Sequence, residues 1–142
     1  MPWLPKETVV VPIDFSDESF AALDTALELV ADAAHVHIIH VLPYMEVTDP
    51  GVIWEAIDDD SRRKHAQDAI KERLADPKYK GAAICVAFGD PGREVADYAQ
   101  SNKADLIVLP SHGRTGLSRL LIGSVAERVV RLAHCPVLVL RK

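Results

Sequence analysis

Short apolar runs alternate with amphipathic stretches along this chain. Thr8-Val9-Val10-Val11-Pro12-Ile13 is continuous and apolar, the pattern of a strand covered on both faces. Asp14 to Ser19 turn the chain, with Ser16 as N-cap and Ser19 at N3, where a capping box would carry Glu. Phe20, Leu23, Leu27 and Val30 then recur at helical spacing, predicting a helix to about Ala31. Val36 to Leu42 reads as a second strand, closed by Pro43. Residues 44–57 show no clean period, and Pro50-Gly51 marks a turn there. A charged helix is predicted from about Asp58 to Leu74, stopped by Asp76-Pro77. Ala82 to Phe88 predicts a third strand, and Gly89-Asp90-Pro91-Gly92 a turn into a helix over Arg93 to Ser101. Asp105 to Leu109 is the fourth strand, Ser124 to Ala133 a last helix and Pro136 to Leu140 a fifth strand.

That order is strictly alternating β and α. Alternation predicts an α/β fold, an open doubly wound parallel sheet of five strands with helices on both faces. Such sheets hold ligands beyond the carboxyl ends of their strands, where the strand order reverses. The predicted site therefore joins the end of strand one, Pro12 to Ser16, to the end of strand four, Pro110 to Gly113.

The sequence after strand four suits that place. Pro110-Ser111-His112-Gly113 is followed, nine residues on, by Gly123-Ser124 and a helical pattern. Glycines let a backbone approach a ligand, and N–H groups at a helix start point at an anion. Ser124 is the expected N-cap, with its hydroxyl and the next N–H, that of Val125, toward phosphate. The alternative is a plain connecting loop. The stretch is neither a Walker A loop nor a dinucleotide fingerprint. Arg114 and Arg119 either reach phosphate or stay solvated. Asp14 either accepts from a base or ribose, or is a turn residue of the first helix.

Composition narrows the classes. The 142 residues predict a single domain, 1–142, with a full core. A net charge of −5 argues against nucleic-acid binding, though a nest of N–H groups can hold phosphate on an acidic protein. The opening Met1-Pro2-Trp3-Leu4-Pro5-Lys6-Glu7 does not read as a signal peptide, and no apolar run approaches the roughly 18 residues of a membrane span. Cys85 and Cys135 lie far apart among apolar residues, as reduced thiols of a cytoplasmic protein would.

Three further groups invite chemistry and are read as structural. Ser111 beside His112 suggests a nucleophile and base, but adjacent loop residues are not expected to face each other. His35 and His37 share one strand face with His40 on the other, which predicts packed or edge histidines rather than a metal site. Asp58-Asp59-Asp60 suits the positive end of a helix.

From Thr8 to Leu140 the chain resembles the universal stress protein family. The resemblance lies in Pro12-Ile13-Asp14-Phe15-Ser16, in Gly89-Asp90-Pro91, and most specifically in the run from strand four onward. That run is Ser111-His112-Gly113-Arg114-Thr115-Gly116, then Leu121-Ile122-Gly123-Ser124-Val125-Ala126-Glu127 and His134-Cys135-Pro136-Val137-Leu138-Val139. It implies the adenine nucleotide alpha hydrolase-like fold with sheet order 3-2-1-4-5, and a homodimer paired through strand 137–140. One branch of the family binds ATP through Gly, two residues, Gly, nine residues, Gly-Ser/Thr. Gly113, Gly123 and Ser124 match that motif, while Pro110 stands at its first glycine and removes an N–H donor. Asp14 and Val41 match positions near adenine and ribose, and Pro12 a pocket wall. The nucleotide contacts so expected are Pro12, Ile13, Asp14, Val41, Pro110, Ser111, His112, Gly113, Arg114, Gly123, Ser124 and Val125. The resemblance thus implies a stress-response regulator binding ATP, ADP or AMP, with or without Mg²⁺, and hydrolysing it at most slowly, since no general base is evident. Two alternatives stand beside it: a dimeric interaction module without nucleotide, and a hydrolase or phosphotransferase of small substrates. Residues 44–60 are open to a lid role.

Overall fold

The computed structural model describes residues 2–44, 59–112 and 122–141. Its elements in chain order are β1 (Val9–Pro12), α1 (Asp17–Leu27), β2 (Val36–Leu42), α2 (Asp59–Arg73), β3 (Ala83–Phe88), α3 (Pro91–Ser101), β4 (Leu106–Pro110), α4 (Ser124–Leu132) and β5 (Val137–Leu140). The strands form one parallel sheet of five in the order β3-β2-β1-β4-β5. Pro50-Gly51, Asp58 and most of the segment 44–60 lie outside the described residues, as do Gly113, Arg114, Gly116 and Arg119.

Strand alternation divides the core between the two faces of the sheet. Val9 and Val11 join Val36, Ile38, Leu106 and Val108 beneath α1 and α2, where Leu23, Ala26, Ala66 and Ile70 bury. Val10 joins Ile39, Ile107 and Leu109 beneath α3 and α4, where Val95, Ala99, Ala126 and Val129 bury. The central strand is therefore apolar at every position because both its faces are covered.

Helix α1 begins as the capping pattern implies. The Ser19 N–H donates to Ser16 Oγ at 3.1 Å, and Ser19 Oγ donates back to the Ser16 carbonyl at 2.8 Å. It ends at Leu27, short of the expected Ala31. The N–H groups of Glu28 and Leu29 tighten onto Thr25 and Ala26 carbonyls, and the Leu29 carbonyl then accepts from Lys6 N–H at 2.8 Å. Leu29 and Val30 still pack on the core, so their apolar character continues the helical pattern although the backbone has left the helix.

The turn Gly89-Asp90-Pro91-Gly92 sets α3 against α4. Asp90 caps α3 by accepting from Arg93 N–H at 3.0 Å, and Pro91 takes the first helical position, where its missing N–H costs nothing. Gly92 lets α4 come close: a Cβ there would lie 2.6 Å from Arg128 Cβ. Asp90 and Arg128 also pair at 2.8 Å, a half-exposed bridge of little weight.

His37 and His40 lie on β2, but His35 lies in the short 3-10 turn Ala33–His35 before it, so His35 and His37 do not share a strand face as expected; each of the three has a protein partner. His35 Nδ1 donates to the Glu7 carbonyl at 2.7 Å and His40 Nδ1 to the Ile13 carbonyl at 2.5 Å. His37 Nδ1 is 2.8 Å from the Tyr98 hydroxyl of α3. Among the described residues no group of three or more His, Cys, Asp or Glu could hold a metal ion. Both cysteines are free and half-buried, and burial raises both thiol pKa values. No described helix is long and apolar enough to cross a membrane.

Two measurements check this packing. Gly92→Ala would ordinarily favour a helix by up to about 1 kcal/mol. Here the clash with Arg128 outweighs that gain, and overpacking of about 1–3 kcal/mol should leave the variant less stable in urea denaturation. Burial lowers the His37 pKa below its ordinary 6.5. The unfolded chain then binds the proton more readily, so the contribution of His37 is complete above pH 6.5 and is lost as pH falls toward the folded value. Wild-type stability should drop between about pH 7 and pH 5 more steeply than that of His37→Gln. Parallel curves would remove His37 from the acid response.

Candidate functional site

The sheet opens between β1 and β4. Their registered pairs are Val9 with Leu106 and Val10 with Ile107. Successive residues of a parallel strand address opposite neighbours. Ile13 N–H bonds the Ile39 carbonyl of β2, and Ser111 N–H bonds the Leu140 carbonyl of β5. The nitrogens of Pro12 and Pro110 therefore face the β1–β4 gap. Continued by one repeat, that ladder would need residue 12 to donate to the Val108 carbonyl and residue 110 to donate to the carbonyl of residue 12. Both donors are prolines, which have no N–H. The two central strands separate at this point.

A cleft of about 250 Å³ occupies the opening. Its walls include Pro12, Ile13 and Asp14 from the end of β1, Val41 from β2, Pro110 and Ser111 from β4, and Ser124 and Val125 from α4. These are eight of the twelve positions expected from the sequence. Gly113 and Arg114 lie outside the described residues. His112 and Gly123 are not among the residues that line the cleft.

Asp14 fills its turn role while lining the cleft. One oxygen, Oδ1, accepts from Ser16 N–H at 3.0 Å and from Ser16 Oγ–H. Ser16, not Asp14, is the cap of α1. The turn places Phe15 in the left-handed region, φ 66°, a cost of order 1 kcal/mol for a non-glycine residue. Edge-on contacts of its ring with His40 at 4.9 Å and Phe20 at 6.2 Å offset that cost.

The other wall is the start of α4. The cap of this helix is Gly123, and Ser124 is its first helical residue, which corrects the expectation that Ser124 caps it. Gly123 N–H donates to the Ser111 carbonyl at 2.6 Å, and a Cβ on Gly123 would lie 2.9 Å from that same oxygen. The glycine thus serves a backbone-to-backbone contact between helix and strand end, where a Ser N-cap would not fit. The first helical bond runs from Glu127 N–H to the Gly123 carbonyl at 3.0 Å. The N–H groups of Ser124, Val125 and Ala126 precede it, so the helix offers them no carbonyl, and these three residues line the cleft. Asp14 is the one carboxylate among the described lining residues.

Ser111 and His112 do meet, against expectation. Ser111 Oγ lies 3.2 Å from His112 Nδ1, and Ser111 is 5% exposed. The strand ends here, so the two side chains are no longer held to opposite faces. His112 Nε2 is buried and has no hydrogen-bond partner among the described residues. The pair therefore lacks, among those residues, the third group that would orient a base.

Sequence reasoning passed over His40, Ser19, Pro91 and Val95, which also line the cleft. His40 had a usable signal. It lies near the carboxyl end of β2, the strand next to β1, and the crevice rule places ligands beyond the carboxyl ends of the strands. Ser19 gave none, because it reads as a capping-box residue.

This chain matches the Universal stress protein family over residues 6–141. A universal stress protein of Methanocaldococcus jannaschii is 37% identical over 140 residues, covering 94% of this chain and 81% of that protein. The solved structure of UspA from Lactobacillus plantarum superposes with a TM-score of 0.73 at 28% identity, covering 96% of this chain and 99% of that one. A universal stress protein solved in complex with cAMP shares the fold at a TM-score of 0.63 and 23% identity, with 96% of this chain and 98% of that one covered. The proline-split crevice, the capped turn after β1 and the glycine-seated helix after β4 belong to a chain that is a member of the universal stress protein family.

Proposed function

We propose that this chain binds ATP in the cleft between β1 and β4 and acts as a nucleotide-responsive stress regulator. One observation carries the reading: Ser124, Val125 and Ala126, whose N–H groups α4 leaves without a carbonyl, line the same cleft as Asp14 and Val41. Helix N-terminal donors suit phosphate through both hydrogen bonds and dipole. The apolar walls, Ile39, Val41, Val95 and Leu109, suit a purine ring. Asp14 at the mouth suits a ribose hydroxyl. Adenine then sits near Val41, ribose near Asp14, and phosphate on Ser124 and Val125, with Gly113 and Arg114 following in sequence at the phosphate end. ADP or AMP would use the same contacts with fewer phosphate oxygens, and Mg²⁺ would enter with the nucleotide. Pro110 withholds one donor from this wall, so affinity rests on α4. Turnover is slow, because the Ser111–His112 pair has no orienting third group among the described residues. Two free thiols suit the cytoplasm.

Thermal unfolding with ATP, ADP, AMP and cAMP tests the ligand. Binding stabilises by RT ln(1 + [L]/Kd), about 2.7 kcal/mol at a hundredfold excess, a shift of several degrees. Absence of a shift at millimolar ATP would favour the interaction module without nucleotide. Ser124→Glu separates binding from folding. A carboxylate in the first turn favours the helix dipole by about 0.3–1 kcal/mol yet repels phosphate. The unliganded midpoint should hold or rise while the ATP shift disappears. Gly123→Ala is a poorer probe, since its Cβ meets the Ser111 carbonyl and should lower stability with or without nucleotide.

The assembly we propose is a homodimer through β5. Val137–Leu140 is an edge strand of alternating Val and Leu, half-buried at every position. Such an edge presents unpaired backbone groups to a partner strand. Light scattering should read twice the 15.6 kDa of one chain, and Val139→Pro, which removes an N–H from the edge, should shift the mass toward the monomer.

A further inference from the structure

A second cleft, of about 560 Å³, lies on the α1–α2 side of the sheet between the end of β2 and helix α2. Phe15, Leu42, Ala66 and Ala69 make its apolar wall, and Arg62 and His65 of α2 add polar groups. His40 lines this cleft as well as the one between β1 and β4. Among the described lining residues there is no carboxylate, although the chain as a whole carries a net charge of −5.

The guanidinium of Arg62 is held in place but incompletely used. Its Nη2 donates to the Pro43 carbonyl at 2.8 Å, and its plane lies over the Phe88 ring at 5.2 Å. Nη1 is buried and makes no hydrogen bond among the described residues; the Asp59 carboxylate stands 3.7 Å away, too far for one. A buried donor without an acceptor is costly and calls for a partner. An arginine held through one nitrogen, its other nitrogen within ion-pair reach of Asp59 but short of a hydrogen bond, sets a partly compensated positive charge at the wall of an apolar cleft. The neighbouring Arg63 is committed elsewhere, to Asp60 at 3.3 Å and the Val86 carbonyl at 3.3 Å.

We propose that this cleft is a second binding site, for a small amphipathic anion. Its apolar body packs on Phe15, Leu42, Ala66 and Ala69, and its carboxylate or phosphate is met by the Arg62 guanidinium beside His65. The inference does not rest on nucleotide binding by the first cleft.

The test uses 2-naphthoate and 2-naphthyl phosphate as probes, followed by amide chemical shifts of the full chain. Saturable shifts should centre on Ser61, Arg62, His65, Ala66 and Ala69, not on Ser124 and Val125, and should persist in saturating ATP. Tighter binding of one probe distinguishes a carboxylate from a phosphate headgroup. Neutral 2-naphthylmethanol should bind about tenfold more weakly, as should the acids to Arg62→Gln, because a charge-assisted hydrogen bond is lost. Arg62 also supports Pro43, so Ala69→Leu serves as an independent variant. It narrows the apolar wall and should block both acids while the thermal midpoint stays near wild type. No saturable shift with either acid, equal affinity for the alcohol, or undiminished binding to folded Arg62→Gln would each overturn the proposal.

Discussion

Two hydrogen bonds that the sheet cannot make determine where its strands part. β1 and β4 are the central strands, and each is paired on its outer side to the end: Ile13 to Ile39 of β2, Ser111 to Leu140 of β5. Between themselves they pair at Val9 and Val10 and then stop. The next donors in register would be residues 12 and 110, and both are proline. A proline inside a central strand is normally excluded, because it breaks the ladder. Here both prolines break the same ladder, on the same side, at the same level. Each strand keeps its other partner, so the sheet survives while a crevice opens at its centre. Pro110, a departure from a glycine pattern, is on this view the complement of Pro12.

The crevice would be a mere gap without the element that closes its far side. Gly123 docks on the Ser111 carbonyl through its N–H, with no room for a side chain. That one contact fixes the start of α4 against the end of β4 and brings Ser124, Val125 and Ala126 to the cleft. Gly92 acts likewise in the outer layer, where α3 meets α4 at Arg128. Two of the glycines that punctuate the sequence are thus explained by close approach rather than by conformational freedom.

Much of this was legible in the residues. The strands could be read because both faces of the sheet are covered, which makes Val9–Val11 and Leu106–Leu109 continuous apolar runs. The place of the site followed from alternation and the crevice rule. The errors have local causes. Leu29 and Val30 extend the period of α1, but the core accepts them from a non-helical backbone tied to Lys6. Ser124 has the chemistry of a cap, but the cap position abuts a backbone oxygen and only Gly123 fits. Ser111 and His112, as adjacent loop residues, were not expected to face each other, yet just past the end of β4 they meet. The first two misses reflect tertiary contacts that no local pattern encodes, and the third reflects where β4 ends.

Charge shows the same division between local and global. A chain of net charge −5 does not attract anions at long range. What an anion would meet at each proposed site is a handful of fixed groups: the start of α4 in one, the Arg62 guanidinium in the other. Both sets are held by contacts made for other reasons, the Gly123–Ser111 bond and the Arg62–Pro43 bond. Donors immobilised in this way lose little entropy when an anion arrives, and a partly buried site is screened less than the open surface. The acidic surface would then act as a filter. It weakens diffuse attraction to polyanions such as nucleic acid while leaving these donors available to a small anion that fits.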